Sequence, residues 1–319
     1  MPNAITPAFC RLAAATALVV YLLIVAGGVV RITGSGLGCP DWPLCHGRAL
    51  PPPELAAIIE YAHRILAALG GGLLITTAGW AWLRYRPIRR IVAPATAAVA
   101  LLAIQVPLGA WVVATELDSL AVAFHLGMAL LILGGALVTA VVAQAVASPS
   151  DSRIPQPRAL LASTLAALFL LMISGALVVG SGAARLCPTW PLCGDGIALP
   201  SHVSPGEAIH LLHRYTVVTV TPLIGAVVWA TLRKEAESEK LKVESESEER
   251  PFPHFHLRLS TSSFWALTLG GLFAVQVGIG AAQVVMGMPV VGRALHLAAA
   301  AGVWAALVIL MTDDTSRRR

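Results

Sequence analysis

The stretch "GCPDWPLCHG", Gly38 to Gly47, returns almost unchanged as "LCPTWPLCGD", Leu186 to Asp195. A chain that writes the same Cys-Pro-x-Trp-Pro-Leu-Cys phrase twice is built from two related halves. Each phrase is polar, rich in proline, and flanked on both sides by long apolar runs. Eight such runs are readable, at roughly 9–30, 56–83, 91–114, 120–143, 158–180, 207–232, 262–287 and 290–311. Each is long enough to cross a bilayer, which takes about 20 residues. The composition agrees: 57% of the 319 residues are hydrophobic and only 12% are charged, where a water-soluble domain carries about 25% charged residues.

The expected fold is therefore an all-α integral membrane protein. Eight transmembrane helices form two tandem four-helix bundles, 1–150 and 151–319, related by a pseudo-two-fold axis along the membrane normal. Four spans per half give both halves the same orientation. Lys and Arg set that orientation. Sixteen of the 22 lie at one set of ends and four at the other, with Arg64 and Arg214 inside spans. Both termini are then cytoplasmic, and the cysteine loops are extracellular or periplasmic in a multi-pass cell-membrane protein. The net charge of +5 reflects this topology and does not imply a nucleic-acid partner. The run 232–260, "LRKEAESEKLKVESESEERPFPHFHLRLS" from Leu232, reads as a flexible cytoplasmic linker, and His254 and His256 within it are given no chemistry.

The loops face the oxidising side, where disulfides persist. Two local disulfides are expected, Cys39–Cys45 and Cys187–Cys193, although a zinc site or pairing between the loops satisfies the same composition. Bracing the loops is favoured over redox exchange as their role. Cys10 reads as a buried thiol.

Ionisable residues inside spans are functional candidates by default, and here they repeat. "EYAHR" (Glu60 to Arg64) follows the first cysteine loop and "HLLHR" (His210 to Arg214) the second. Gln105 precedes His125 by twenty residues, as Gln276 precedes His296. His63, His125, His213 and His296 thus stand at matched depth near the loop side, on every second span. A lone histidine there reads as an interhelical hydrogen bond. Four in register read as metal ligands. Two imidazoles from facing helices can clamp a haem iron inside an apolar bundle, with His63 pairing His125 and His213 pairing His296. Spacing alone does not choose iron over another metal. Arg64 and Arg214 read either as partners of haem propionates or as arginines snorkelling to the interface. Glu60, one turn outward of His63, has His210 as its counterpart. Two haem sites with one carboxylate between them have different jobs, unless Glu60 and Arg64 form only a structural pair.

Taken together, "GGVVRITGSGLGCPDWPLCHG", "EYAHR", "HLLHR" and the histidines in "FHL" and "LHL" resemble the haem A synthase family over essentially all eight spans. That resemblance implies an oxidoreductase that converts a porphyrin methyl group of haem O to a formyl group, making haem A for terminal oxidases. It implies His63 and His125 as ligands of the substrate haem, His213 and His296 as ligands of a resident haem b cofactor, and Glu60 as the catalytic carboxylate. A prenyltransferase that makes haem O, together with an unidentified electron donor or acceptor, are the implied partners. The main rival is a di-haem b-type membrane cytochrome that only transfers electrons. A transporter of parallel repeats would explain the repeat but not four matched histidines.

Overall fold

A computed structural model describes residues 4–148, 157–193, 202–249 and 260–315. Among them are eight long helices: α1 Pro7–Ile32, α2 Leu55–Tyr85, α3 Arg89–Ala114, α4 Ser119–Ala147, α5 Arg158–Gly180, α6 Pro205–Glu249, α7 Thr261–Val285 and α8 Val290–Thr315. All eight are long and apolar enough to span a membrane. No strand occurs among the described residues, and the protein is an all-α integral membrane protein. A bilayer demands this, because each backbone N–H and C=O must find its partner inside its own segment. Large apolar side chains such as Leu83, Leu170, Val218 and Trp229 point outward, a surface suited to lipid rather than to water.

Local sequence sets the ends. Thr6 caps α1 through Phe9 N, Asp118 caps α4 through Leu120 N and Ala121 N, and Ser260 caps α7 through Ser263 N, each side-chain oxygen satisfying orphan amides of the first turn. The exits of α1 and α5 match. Gly34 and Gly182 occupy equivalent places in the repeat at φ of +73° and +72°, a conformation that glycine adopts without steric penalty.

α1 to α4 close one ring of contacts and α5 to α8 a second, joined through α1 and α4 on one side and α5 and α8 on the other, an arrangement consistent with tandem bundles. The seam is a single apolar core containing Leu130, Leu133, Leu168, Val303 and Leu307. Buried hydrogen bonds cross it. Trp304 Nε1 donates to Leu130 O at 3.0 Å, and Tyr21 Oη donates to Ala298 O at 3.0 Å. At Gly28 the two helices come so close that a Cβ would sit 1.8 Å from Leu297 Cδ2.

The expected linker from 232 differs from what is found. α6 continues without a break to Glu249. The stretch is charged, but its Ala, Glu, Lys and Leu are good helix formers. Arg233 Nε donates to Glu237 Oε1 one turn on at 2.9 Å, and Glu235 accepts from Ser260 N at the head of α7. A polar surface projecting beyond the bilayer does not forbid a helix that a membrane helix has already nucleated. His254 and His256, and residues 149–156 between α4 and α5, lie outside the described residues.

Candidate functional site

Both cysteine pairs are closed as disulfides, Cys39–Cys45 and Cys187–Cys193, with Cα–Cα separations of 4.6 and 4.5 Å. Cys10 is free and buried. Each loop turns through a cis Trp–Pro peptide, Trp42–Pro43 and Trp190–Pro191. No group of three or more His, Cys, Asp or Glu side chains gathers as a metal-ion site among the described residues, so the zinc reading finds no ligand set there.

Helix starts set the depth of the histidines. His63 and His213 each lie eight residues into α2 and α6, and His125 and His296 six residues into α4 and α8. At 1.5 Å per residue this is about 12 and 9 Å from the loop end. All four are half-buried.

A feature the sequence did not disclose explains how the rings are held. Each histidine rests on a glycine of the preceding helix. A Cβ at Gly27 would lie 3.0 Å from His63 Cε1, at Gly109 3.2 Å from His125 Cε1, at Gly175 3.1 Å from His213 Cε1, and at Gly280 3.0 Å from His296 Cε1. Any larger residue would push the imidazole off its helix. Nδ1 of His63, His125 and His296 is buried without a partner, while Nδ1 of His213 is 2.9 Å from Ser174 Oγ. Nε2 of His125 lies 3.4 Å from Gln105 Nε2, so the ring nitrogens without a partner are the Nδ1 atoms of His63, His125 and His296. Gln105 Nε2 donates to His125 O at 3.1 Å, and Gln276 Oε1, its counterpart, is buried and unpartnered. Four imidazoles on glycine seats in an apolar bundle, three of them with an orphaned buried nitrogen, are a donor set whose chemistry fits haem iron.

Arg64 and Arg214 are placed differently from the expectation. Arg64 Nη1 donates to Asp41 O and Leu44 O at 2.8 and 2.7 Å, and Nη2 donates to Cys39 O at 2.8 Å and Glu60 Oε1 at 2.6 Å. All four of its terminal N–H groups are engaged. Arg214 donates from Nη1 to Thr189 O and Pro191 O at 2.7 and 2.9 Å, and from Nη2 to Cys187 O at 3.1 Å. Both are turned into the loop backbone. Both clamp the cysteine loop by its carbonyls, using the planar fork that distinguishes arginine from lysine.

Glu60 is 4% exposed and both its oxygens are bound, Oε1 to Arg64 and Oε2 to Cys39 N at 2.8 Å. In the second half His210, also 4% exposed, turns Nδ1 to Ala183 O at 3.2 Å instead. The pairing of Glu60 with Arg64 is therefore real. It fixes a buried carboxylate one turn above His63 in the first half and nowhere else in the repeat.

Eight spans, two disulfide-braced loops and two histidine pairs define a membrane-embedded haem-binding class of protein. Comparison with known proteins narrows it. A family model described as "Cytochrome oxidase assembly protein" (COX15-CtaA) matches residues 10–245, and the chain belongs to that family. Among similar proteins, one of Alkalihalophilus pseudofirmus is 31% identical over 226 residues, covering 68% of this chain and 75% of its own. One of Halalkalibacterium halodurans is 32% identical over 231 residues, covering 69% and 74%. One of Geobacillus kaustophilus is 28% identical over 229 residues, covering 69% and 71%. Each is named "Heme A synthase". His296 lies beyond the segment matched by the family model, so its place rests on the internal repeat and on the Gly280 seat.

Proposed function

We propose that the chain is a haem A synthase, an oxidoreductase that converts a methyl group of haem O to a formyl group for use by terminal oxidases. The observation that carries this reading is the single break in a repeated site. Four histidines sit alike on glycine seats, and among the described residues only His63 has a buried carboxylate beside it. In a plain di-haem electron carrier that carboxylate would only tie Arg64 to the Cys39 amide, a tie the second half does without.

In this reading haem O is the substrate and lies between His63 and His125. His213 and His296 hold haem b, which supplies one-electron transfer when bound. The first bundle, 1–150, is the substrate half and the second, 151–319, the cofactor half. Taking a methyl to a formyl group with water as the oxygen source releases four electrons and four protons, two of the protons from the methyl group and two from the water. The protein's part is to hold the ring, keep bulk water out with the braced loop, and place Glu60 near the reacting rim. Arg64 and the Cys39 amide hold the Glu60 carboxyl in one position, so its oxygens can face positive charge developing on the substrate carbon without any reorganisation. Sidedness follows from the arginine distribution, with the loops outside and both termini in the cytoplasm. The enzyme that forms haem O is the natural supplier, and electrons leave to an acceptor in or beside the membrane.

Glu60→Gln tests the assignment, because glutamine keeps an acceptor for the Cys39 amide. Haem extracted from purified protein should show both haem sites filled and haem A yield reduced at least ~100-fold, the scale expected for losing a preorganised charge. Normal haem A yield with intact haem binding would remove Glu60 from the chemistry. A purified wild-type chain holding only haem b would support the electron carrier instead.

A further inference from the structure

If Arg64 and Arg214 are spent on the loops, the carboxylates of bound porphyrins need other partners. Two arginines meet that need. Arg31, at the end of α1, donates from Nη2 to Gly180 O at 3.4 Å, and Arg293, in the first turn of α8, donates from Nη2 to Ile32 O at 3.2 Å. The Nε of each is buried and unpartnered. Among the described residues neither has a carboxylate within ion-pair distance. Each makes one modest bond to a helix carbonyl of the opposite half. Arg31 at the end of α1 and Arg293 at the start of α8 thus stand at the same loop end of the α1–α8 seam. Two cations gathered on an apolar seam with no acid between them are a poor structural device and a good anion site.

Their positions point at the histidines. Arg31 follows Gly27 by four residues and so shares its helix face one turn nearer the loop end. Gly27 is the seat of His63. Arg293 precedes His296 by three residues, again one turn nearer the loop end. Each histidine pair therefore has one arginine standing a turn above it. The repeat does not require this, since the counterparts of Arg31 and Arg293 are Val179 and Val122. Arginine has been placed once above each site, on the two helices that face each other across the seam.

We propose that Arg31 and Arg293 are the carboxylate-binding residues of the two sites. Arg31 takes a propionate of the substrate haem and Arg293 takes a propionate of the resident haem. This rests on the haem A synthase reading. It adds that the propionate edges of both porphyrins converge on the α1–α8 seam at the loop end.

The test uses the intact protein, purified with its haems, in four variants: Arg31→Gln, Arg31→Lys, Arg293→Gln and Arg293→Lys. Haem identity and content are measured by extraction, and the midpoint potential of the retained haem b by redox titration. Arg31→Gln should retain substrate haem about tenfold less well, the scale of one charged hydrogen bond, with haem b content unchanged. Arg293→Gln should lower the haem b potential, since removing a nearby cation favours the ferric form. The lysine variants should recover part of each effect. Unchanged content and potential in both glutamine variants overturns the proposal while leaving the enzyme reading intact. Equal loss of both haems in either variant also overturns it, because the arginines would then only hold the halves together. Loss of a co-purifying anionic phospholipid without any change at the haems assigns the seam to lipid and overturns it as well. A wild-type protein without haem defeats the enzyme reading itself, and this proposal falls with it.

Discussion

Replacing Gly280 with alanine isolates the glycine seat beneath His296. The new Cβ would lie 3.0 Å from Cε1 of the ring, 3.5 Å from Nδ1 and 3.9 Å from Nε2. Carbon atoms prefer about 3.5–4.0 Å, so the ring edge must retreat by roughly 0.5–1 Å. In the free protein the half-buried imidazole can swing aside, and alanine gains about 0.5–1 kcal/mol over glycine inside a helix. Apparent stability without haem should then hold or rise slightly. With haem bound, the ring must return to its aimed position, and overpacking of this kind costs about 1–3 kcal/mol. That corresponds to roughly 5- to 150-fold weaker haem retention. The assay is the haem-to-protein ratio of the purified chain during competition with an apo-protein haem scavenger, read with the absorption spectrum and a thermal melt. Gly72→Ala and Gly271→Ala are internal controls, because a Cβ at either meets nothing within 4 Å. They should leave haem untouched. If Gly280→Ala holds haem as tightly as wild type, with the same spectrum, the seat does not aim the ligand.

Two further outcomes concern the loops. Asp41 accepts from Gly47 N at 2.7 Å and from His46 N, and these amides hold its carboxyl below the usual carboxylate range. A depressed folded value means that the support is present above the unfolded value, near pH 4, and is lost as pH falls through the lower, folded one. The rate at which a phosphine reduces Cys39–Cys45, divided by that for Cys187–Cys193, should therefore climb as pH falls below ~4. The second loop has Thr189 at the matching place and serves as the reference, and a flat ratio, or an unchanged climb in Asp41→Asn, refutes the assignment. Replacing Cys187 and Cys193 together with serine should lower stability by about 2 kcal/mol, the chain-entropy scale for so short a loop. Turnover per bound haem should stay the same, and its loss would favour a redox role for the pair.

Much of this architecture was legible because the bilayer leaves few choices. Apolar runs marked every span to within a few residues, with α6 the exception. Its extension past 232 was hidden because charge reads as solvation, and only the helix already under way makes helix the cheaper continuation. The histidines were legible because ionisable groups in spans are rare and these four repeat. Their glycine seats were not. The chain has 28 glycines, and nothing in one dimension says which of them faces a ring on the next helix. The arginines misled for a similar reason. Arg64 and Arg214 follow the ligands in sequence, yet their partners are fixed by how a seven-residue loop folds back. Arg31 and Arg293 looked like ordinary boundary charges until their buried Nε atoms were located.

The repeated loop clamp has an evolutionary reading. Each half closes its lid with the same three kinds of contact: a disulfide, a cis proline turn and an arginine holding loop carbonyls. All three are present in both copies, whether the wall position is Glu60 or His210. A gene duplicated with this lid in place could exchange that residue in one copy without disturbing the other contacts. On the proposed reading, one copy would thereby acquire reactivity while its twin kept to electron transfer. Division of labour between the halves then required a change at one wall position, not a new fold.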